Sequence, residues 1–362
     1  MAEALPLEVI LNSVFMLFIF GTFFYGQRLQ LFLTMRRIRK NLVKLERMKK
    51  DAKIKLAESI MKVNPDEETV KGGLDQLLDM FAIPPVRLDP KGIVWKLESI
   101  LDTYEGKMKE GIRKLAPEAG GPEVDNLSNL LEASHGLNMM FKIVRHFYLL
   151  AKKTHSPMSI VRLQMNLPFI MEQAEAYHAS LDAFAEGRSI GDGVGAMVAT
   201  SLLKEKTVRE IAKDTVSAAV DVQGRKVFVV KAQGPGGNVG KPGEAVRRII
   251  KRNKNISLIV TVDAGLKLEG ERSGEIVEGS GAAIGGPGVE RFKIEEVATE
   301  FGIPLHAIVV KMSEKEVLSG MTEEIEGAAK EATERVMSTI LGLSEPGSRV
   351  IVAGIGNTIG VP

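Results

Sequence analysis

The sequence has no cysteine, a single tryptophan and only five histidines among its 362 residues. The absence of cysteine excludes disulfide bonds, thiolate catalysis and cysteine-ligated metal sites. None of the histidines stands in the H-E-x-x-H spacing by which helical zinc peptidases bind their metal. These absences leave few of the familiar hydrolase mechanisms open to this chain.

Basic residues are missing from the first 27 positions, and acidic residues are scarce in the segment that follows. Residues 28–55 contain eleven Lys or Arg against Glu46 and Asp51, a net charge of +9, whereas the whole chain carries only +2. Charge that is segregated in this way indicates that the segments meet different surroundings. The near-neutral total also argues against a nucleic-acid partner for the chain as a whole.

The N-terminal segment is apolar as well as poor in charge. Residues 9–25 contain no charged side chain, and an apolar stretch of about 20 residues matches a hydrocarbon core about 30 Å thick. Two alternatives are a cleaved signal peptide, which would have a basic start, and a buried core helix, which would rarely stand at the N-terminus before a basic cluster. We predict a transmembrane anchor over residues 5–26 of a single-pass cell-membrane protein. The basic flank predicts that the N-terminus is outside and the body cytoplasmic.

Residues 27–63 carry apolar side chains at helical spacing among the basic ones. This pattern is typical of a juxtamembrane helix that lies on anionic lipid, of a short coiled coil, or of a solvated stalk. All three alternatives keep the body close to the membrane. Anionic membrane lipid is therefore an expected partner of residues 28–55.

Prolines and glycines divide residues 64–186 into amphipathic stretches, which predict an all-α middle domain. Helices are expected over 66–80, 90–115, 123–153 and 157–186. Pro168 is expected to kink or split the last of them. The histidines of this region have no metal-ligand spacing. We interpret the domain as an interaction surface for a protein or peptide partner, and self-association is an open alternative.

Short β-branched runs separated by helical stretches follow Gly187 and predict an α/β domain over residues 187–362. Near-continuous apolar strands indicate a mainly parallel sheet with helices on both faces, a three-layer arrangement. Residues 274–279 could add a hairpin or an edge strand. The expected strands are 227–230, 257–262, 305–310 and 349–355, and the expected helices are 192–204, 243–252, 293–301 and 322–341.

Glycine-rich loops follow two of the expected strands, at the edge of the sheet where α/β proteins bind their ligands. The first contains Gly234, Gly236 and Gly237, but Pro242 stands where a phosphate-binding P-loop has Ser or Thr. The second is the sequence from Gly354 to Asn357, including Gly356. Such loops either bind an anion through backbone N–H groups or form tight turns that allow close packing.

Several blocks of this domain resemble the hydrogenase maturation endopeptidases. They are SIGDGVGAMVATSLL (189–203), VTVDAG (260–265), VERFKIEEVA (289–298) and SGMTEEIEGAAKEATERVMSTI (319–340). GSGAAIGGPG (279–288) is similar to a turn of their spore-protease-like relatives. The strand with G-x-G-N opens that family's fold, but here RVIVAGIGN (349–357) closes the chain, so the resemblance implies a circular permutation. The whole chain also resembles a family of archaeal single-pass membrane proteins of unassigned function.

The resemblance implies a candidate metal site. The endopeptidases use two acids and a histidine to bind a nickel ion held in their substrate, and the matching positions here are Asp192, Asp263 and Glu290. Three carboxylates favour Mg²⁺ or Mn²⁺ more than Ni²⁺. Without a metal, Arg291 or Lys267 could neutralise the three acids in a structural ion network instead.

Two functions follow as expectations. The first is a membrane-anchored, metal-dependent hydrolase of the peptidase or amidase type, with a metal-bound water as the nucleophile. The glycine loops would then supply backbone donors to the oxyanion. The second is a non-catalytic scaffold or ligand-binding protein on a degenerate hydrolase fold, because fold alone does not determine function.

Overall fold

A single 55-residue helix, α1 (Leu7–Met61), joins the apolar N-terminal segment to the basic one without a break. It belongs to a computed structural model that describes residues 7–85, 92–154, 156–204, 206–253 and 255–362. No helix within these ranges combines the length and the apolar character needed to cross a bilayer. The predicted transmembrane anchor, whose residues 5 and 6 lie outside the described ranges, is therefore not confirmed.

Four further helices lie in the described part of the N-terminal half, close to the predicted positions. They are α2 (Glu67–Leu78), α3 (Ile93–Leu115), α4 (Gly121–Thr154) and α5 (Pro157–Glu186). Local signals explain their ends: the side chains of Asp66 and Ser156 cap α2 and α5, and Gly187 ends α5 in the left-handed conformation. Pro168 lies inside α5, which continues through it as one helix.

The second half of α1 is part of this helical bundle. Its buried apolar side chains recur at intervals of three, four or seven residues and join the same apolar core as α4 and α5; they are Ile38, Leu45, Met48, Ala52, Leu56 and Ile60. Such spacing places them on one face of a helix. Residues 38–60 therefore form a packed bundle helix and not a free stalk.

The C-terminal half contains a seven-stranded sheet. Its strands are β1 (Arg209–Ala212), β2 (Thr215–Val222), β3 (Arg225–Ala232), β4 (Ile256–Leu266), β5 (Ile276–Ser280), β6 (Leu305–Met312) and β7 (Arg349–Gly354). The strand order is β1-β2-β3-β7-β4-β6-β5. The last strand of the chain thus lies in the centre, paired with β3 and β4.

The prediction of a mainly parallel sheet is wrong, because the sheet is mixed. Strands β3, β7, β4 and β6 pair in parallel, whereas β1, β2 and β5 are added antiparallel at the two edges. The β1–β2 hairpin was missed because β2 alternates between half-buried and exposed residues over part of its length and lacks a continuous apolar run. Residues 274–279 contribute to an edge strand, β5, one of the two predicted alternatives.

Helices cover both faces of the sheet and make three layers, as predicted. The helices are α6 (Val194–Leu203), α7 (Pro242–Arg252), α8 (Val289–Phe301), the short α9 (Glu314–Leu318) and α10 (Glu323–Leu343). Helices α6 and α10 share one apolar core with the sheet, and α7 and α8 share the other. The two cores sit on opposite faces because neighbouring residues of a strand point in opposite directions.

The N-terminal end of α6 rests directly on the ends of β4 and β7. A Cβ atom on Gly195 would collide with the backbone carbonyl oxygens of Val262 and Ile355. Only glycine permits this approach, since a side chain would push the helix away from the strands.

We expect Gly195→Ala to lower the free energy of unfolding by at least about 1–3 kcal/mol, because backbone atoms cannot move aside as a flexible side chain can. The matched control is Gly327→Ala in α10, where a Cβ would meet no atom within 4 Å. That change should raise the stability by about 0.5–1 kcal/mol, the ordinary helix preference for alanine over glycine. Thermal unfolding of the two variants checks both signs, and equal effects would contradict the close packing.

Candidate active site

Asp192 stands in a short 3₁₀ turn, Gly191–Gly193, that leads into α6. The backbone N–H of Asn357 donates a hydrogen bond of 2.7 Å to its Oδ2 atom. Asn357 belongs to the loop after β7, so this bond joins two segments that are 165 positions apart in the sequence. Asp192 remains partly accessible to solvent.

Asp263 lies near the end of β4 and is only 4% exposed. Its Oδ1 accepts a hydrogen bond of 2.7 Å from the N–H of Ala264, and its Oδ2 accepts one of 3.0 Å from the N–H of Gly285. Two residues earlier, Thr261 Oγ1 accepts from the N–H of Ala283 at 2.9 Å. The glycine-rich loop over 279–288 is therefore fastened to β4 by polar side chains that point out of the same face.

The two aspartates influence each other. Burial, and then the negative charge of Asp192, raises the pKa of Asp263 well above its usual range, against the opposing effect of its two backbone hydrogen bonds. Burial also raises the pKa of Asp192, against the bond from Asn357. Two neighbouring carboxylates that are poorly hydrated cannot both ionise easily. The pair therefore keeps a proton to a higher pH than two exposed aspartates would, and it titrates as a unit.

The structure does not bring Glu290, the third candidate metal ligand, into the same group. Its Oε2 accepts hydrogen bonds from the N–H groups of Gly243 and Glu244, at 2.7 and 3.4 Å. The carboxylate thereby caps the N-terminus of α7, where the helix dipole favours a negative charge. Within the described residues no three acidic or histidine side chains are grouped to hold a metal ion. The donor set thus does not fit the predicted Mg²⁺, Mn²⁺ or Ni²⁺ site.

A lysine that the sequence analysis did not single out neutralises Glu290. Lys293 is 3% exposed, and its Nζ lies 3.1 Å from Glu290 Oε1 and 2.5 Å from Glu98 Oε1 in α3. The expected alternatives have other partners: Arg291 pairs with Glu295 at 2.7 Å, and Lys267 donates to the carbonyl oxygen of Glu271 at 3.0 Å. The contact to Glu98 bridges 195 positions, so no local pattern could have indicated it.

The first glycine loop is occupied by side chains of the helical half. Asn126 Oδ1 accepts from the N–H of Gly237 at 2.9 Å, and Asn129 Nδ2 donates to the carbonyl oxygen of Gly237 at 2.5 Å. A Cβ on Gly236 would press against Asp125, and one on Gly234 against the backbone of Val361. The loop therefore joins α4 to the sheet, and its N–H at Gly237 is not available to an anion.

The second glycine loop serves close packing around Asp192. Gly354 lies against the backbone of Gly195 in α6, and Gly356 lies against the carbonyl group of Asp192 with a φ of 118°. Asn357 then connects this loop to the first one, because its Nδ2 donates to Asn129 Oδ1 at 3.1 Å. The alternatives predicted for the glycine loops were anion binding and tight turns that allow close packing. In this loop the structure shows the second, with a tight turn at Gly356 and a close approach at Gly354.

Comparison with known families identifies the chain by two matches. The description "Protein of unknown function (DUF1512) N-terminal domain" matches residues 12–187, and "Domain of unknown function (DUF1512) C-terminal" matches residues 190–362. The chain belongs to the DUF1512 family. The two matched regions meet between residues 187 and 190, where α5 ends and the turn of Asp192 begins.

No curated protein and no solved structure matches this DUF1512 chain. The family matches agree with the predicted resemblance to a family of unassigned function. They include no hydrogenase maturation endopeptidase, so that resemblance stays a prediction.

We expect Asp192→Asn to stabilise the protein at neutral and alkaline pH. The amide oxygen can keep the bond from the N–H of Asn357, and the amide group removes the charge that opposes ionisation of Asp263. In the wild type the free energy of unfolding should fall as the pH rises from about 4 towards the raised pKa values, since only the folded state still holds the proton there. Each unit of raised pKa corresponds to about 1.4 kcal/mol.

Thermal unfolding between pH 4 and pH 9 measures this effect. At the alkaline end the midpoint of thermal unfolding should be higher in the variant than in the wild type, by roughly 2–4 °C for each kcal/mol of added stability. The difference should shrink towards pH 4. Asp221→Asn is the matched control, because Asp221 is exposed and Asn can keep its bond from the N–H of Gly224. Identical pH dependence in wild type and Asp192→Asn would contradict a coupled pair.

Proposed function

We propose that the chain is a membrane-attached hydrolase of amide bonds whose α/β half uses Asp192 and Asp263 as a proton-sharing acid pair. One observation carries the proposal: two poorly hydrated, interacting carboxylates stand at the carboxyl end of the central strands. Perturbed pKa values cluster at functional sites, and this edge of the sheet is where α/β proteins act on ligands.

The pair has the components of general acid–base hydrolysis. Asp192, the more accessible member, would take a proton from a water molecule as the water oxygen attacks the amide carbon. Asp263, the more deeply buried member, would hold the shared proton and donate it to the leaving nitrogen as the C–N bond breaks. After the reaction the pair again holds one proton, which Asp192 now carries instead of Asp263. Two carboxyl groups that share a proton in this way are an established solution for peptide hydrolysis.

A non-catalytic scaffold is the second candidate, and a specific observation favours it. The N–H groups of Gly237 and Asn357, which were expected to bind an oxyanion, already donate to Asn126 and Asp192. An enzyme would need other donors for the charge that develops in the transition state. On this second reading, the acid pair and the asparagines hold α4, α6 and the two loops together.

Hydrolysis of a fluorogenic peptide library by the full chain distinguishes the two candidates. We expect turnover that falls by about 10²-fold or more in both Asp192→Asn and Asp263→Asn, because each removes one proton-transfer step. Asp221→Asn should retain the wild-type rate. A wild-type protein without turnover, or turnover that survives both pair substitutions, would leave the scaffold as the function.

The proposed membrane attachment rests on the exposed side chains at the start of α1. Apolar residues point outward on all sides of this segment, from Leu11, which is 70% exposed, to Phe20. A helix that is apolar all round requires an apolar environment. The exposed basic residues after it have no ion-pair partner in the described part of the chain; they are Arg28, Arg36, Arg37, Arg39 and Lys40.

Three of the basic residues further along α1 differ from these. Lys44, Lys53 and Lys55 pair with Glu175, Asp75 and Asp182 of the bundle, at 2.5, 2.5 and 2.6 Å. The segment that we propose to contact anionic lipid is therefore about residues 28–40, shorter than the predicted residues 28–55. The basic side favours the cytoplasmic leaflet, so we propose a cytoplasmic body with the N-terminus outside.

Vesicle flotation tests the attachment. The full chain should float with vesicles that contain phosphatidylglycerol. The double variant Phe15→Lys/Leu17→Lys should stay at the bottom of the gradient, since charge in an apolar segment opposes its transfer into lipid. Leu268→Lys/Phe301→Lys, which alters exposed apolar residues of the α/β half, is the matched control and should float. Flotation of both variants would contradict attachment through α1.

A further inference from the structure

The ends of α4 and α5 lie beside the part of α1 that leaves the bundle. Lys44 and Lys55 of α1 pair with Glu175 and Asp182 of α5 in the same order, so these two helices run parallel. Helix α4 runs the other way, because Ala52 contacts Ser134 whereas the earlier Lys49 lies over Phe141. The C-terminal end of α4 and the N-terminal start of α5 are therefore at the same end of the bundle as the basic residues 28–40.

A surface depression shows which positions of α1 and α5 lie side by side near this end of the bundle. It is lined by Gln164 of α5 together with Leu33, Arg37 and other residues of α1 between positions 26 and 37. The start of α5 lies seven positions before Gln164, about 10 Å along the helix axis. This places Met158 close to the level at which the apolar segment of α1 continues beyond the bundle.

This end of the bundle has no acidic residue in any of its three helices. Residues 9–45 and residues 133–171 contain neither Asp nor Glu. One exposed basic residue of the second stretch, Lys142, pairs with Asp79 at the end of α2, at 2.6 Å. Four others have no ion-pair partner in the described ranges; they are Arg145, Lys152, Lys153 and Arg162. At the opposite end of α4, by contrast, Asp125 pairs with Lys109 at 2.8 Å. An acid-free end with several free cations is complementary to an anionic surface.

Exposed apolar side chains stand among these cations. Met165 and Phe169 are each 70% exposed, Met158 is 69% exposed and Val161 is 45% exposed. A monomeric protein in water rarely leaves such a group uncovered. Apolar side chains flanked by Lys and Arg are typical of helices that lie in the interface of a bilayer.

We propose that the adjoining ends of α4 and α5, residues 145–154 and 156–169, form a second lipid-contacting surface for an anionic bilayer, which we call the tip. Lys152 and Lys153 contact head groups, and Met158 and Val161 enter the interface. The inference rests on the proposed attachment through α1. Charge complementarity and continuity with the exposed apolar segment of α1 favour a bilayer over a protein partner. Cations near an anionic surface attract it together, so the tip would fix the orientation of the body.

Single cysteine probes test this directly, since the natural chain has no cysteine. The full chain would carry an environment-sensitive fluorophore at Val14→Cys, Met158→Cys or Phe301→Cys, in buffer without lipid or detergent and then in vesicles. We expect a blue shift at Val14→Cys in any vesicle. Met158→Cys should shift only in vesicles that contain phosphatidylglycerol, and Phe301→Cys should not shift at all.

Charge reversal supplies the matched comparison. Lys152→Glu/Lys153→Glu should abolish the shift at Met158→Cys and leave the shift at Val14→Cys. Lys251→Glu/Lys330→Glu makes an equal change of net charge on the α/β half. It should leave the shifts at Met158→Cys and Val14→Cys unchanged. A shift at Val14→Cys without one at Met158→Cys would overturn the second surface while the attachment stands. No shift at either probe would overturn both, and a shift at Met158→Cys without lipid would mean that protein covers the tip.

Discussion

The direct contact of α6 with the ends of β4 and β7 is the constraint on which the candidate site depends. Gly195 allows the helix to touch the backbone at Val262 and Ile355, and the turn before it then holds Asp192 against the loop that follows β7. This proximity gives Asp192 its influence on Asp263. The mutual effect of the two carboxyl groups thus depends on the packing of the helix on the strands. A single methyl group at position 195 would separate the two elements.

The acid pair is also connected to the helical half. Asn357 donates its backbone N–H to Asp192 and its side-chain amide to Asn129 of α4, which in turn contacts the loop at Gly237. A change in the protonation of the pair therefore acts on a short chain of hydrogen bonds that ends in the longest helix of the bundle after α1. Such connected polar networks are most stable when every member is satisfied.

The sequence predicted those features that are governed by local patterns. Apolar runs gave the four parallel strands within a few residues, and prolines, glycines and caps located the helices. The β1–β2 hairpin lacked a continuous run and was missed. Asp192 and Asp263 were found by resemblance, and the structure brings them together. Glu290 lies apart from this pair, which the sequence could not indicate, because its contacts with the N-terminus of α7 and with Glu98 through Lys293 join distant segments.

The acid pair and the proposed lipid-contacting surface lie near opposite ends of α4. Asn129, near the start of α4, contacts the loops around the acid pair, and Lys152, near its end, belongs to the acid-free tip. The 23 positions between them correspond to about 35 Å of helix. If the tip lies on the bilayer, the acid pair stands roughly that far above it, beyond the reach of a buried membrane segment. A substrate would then be a cytoplasmic protein, or a membrane protein with an extended cytoplasmic stretch of about ten residues or more.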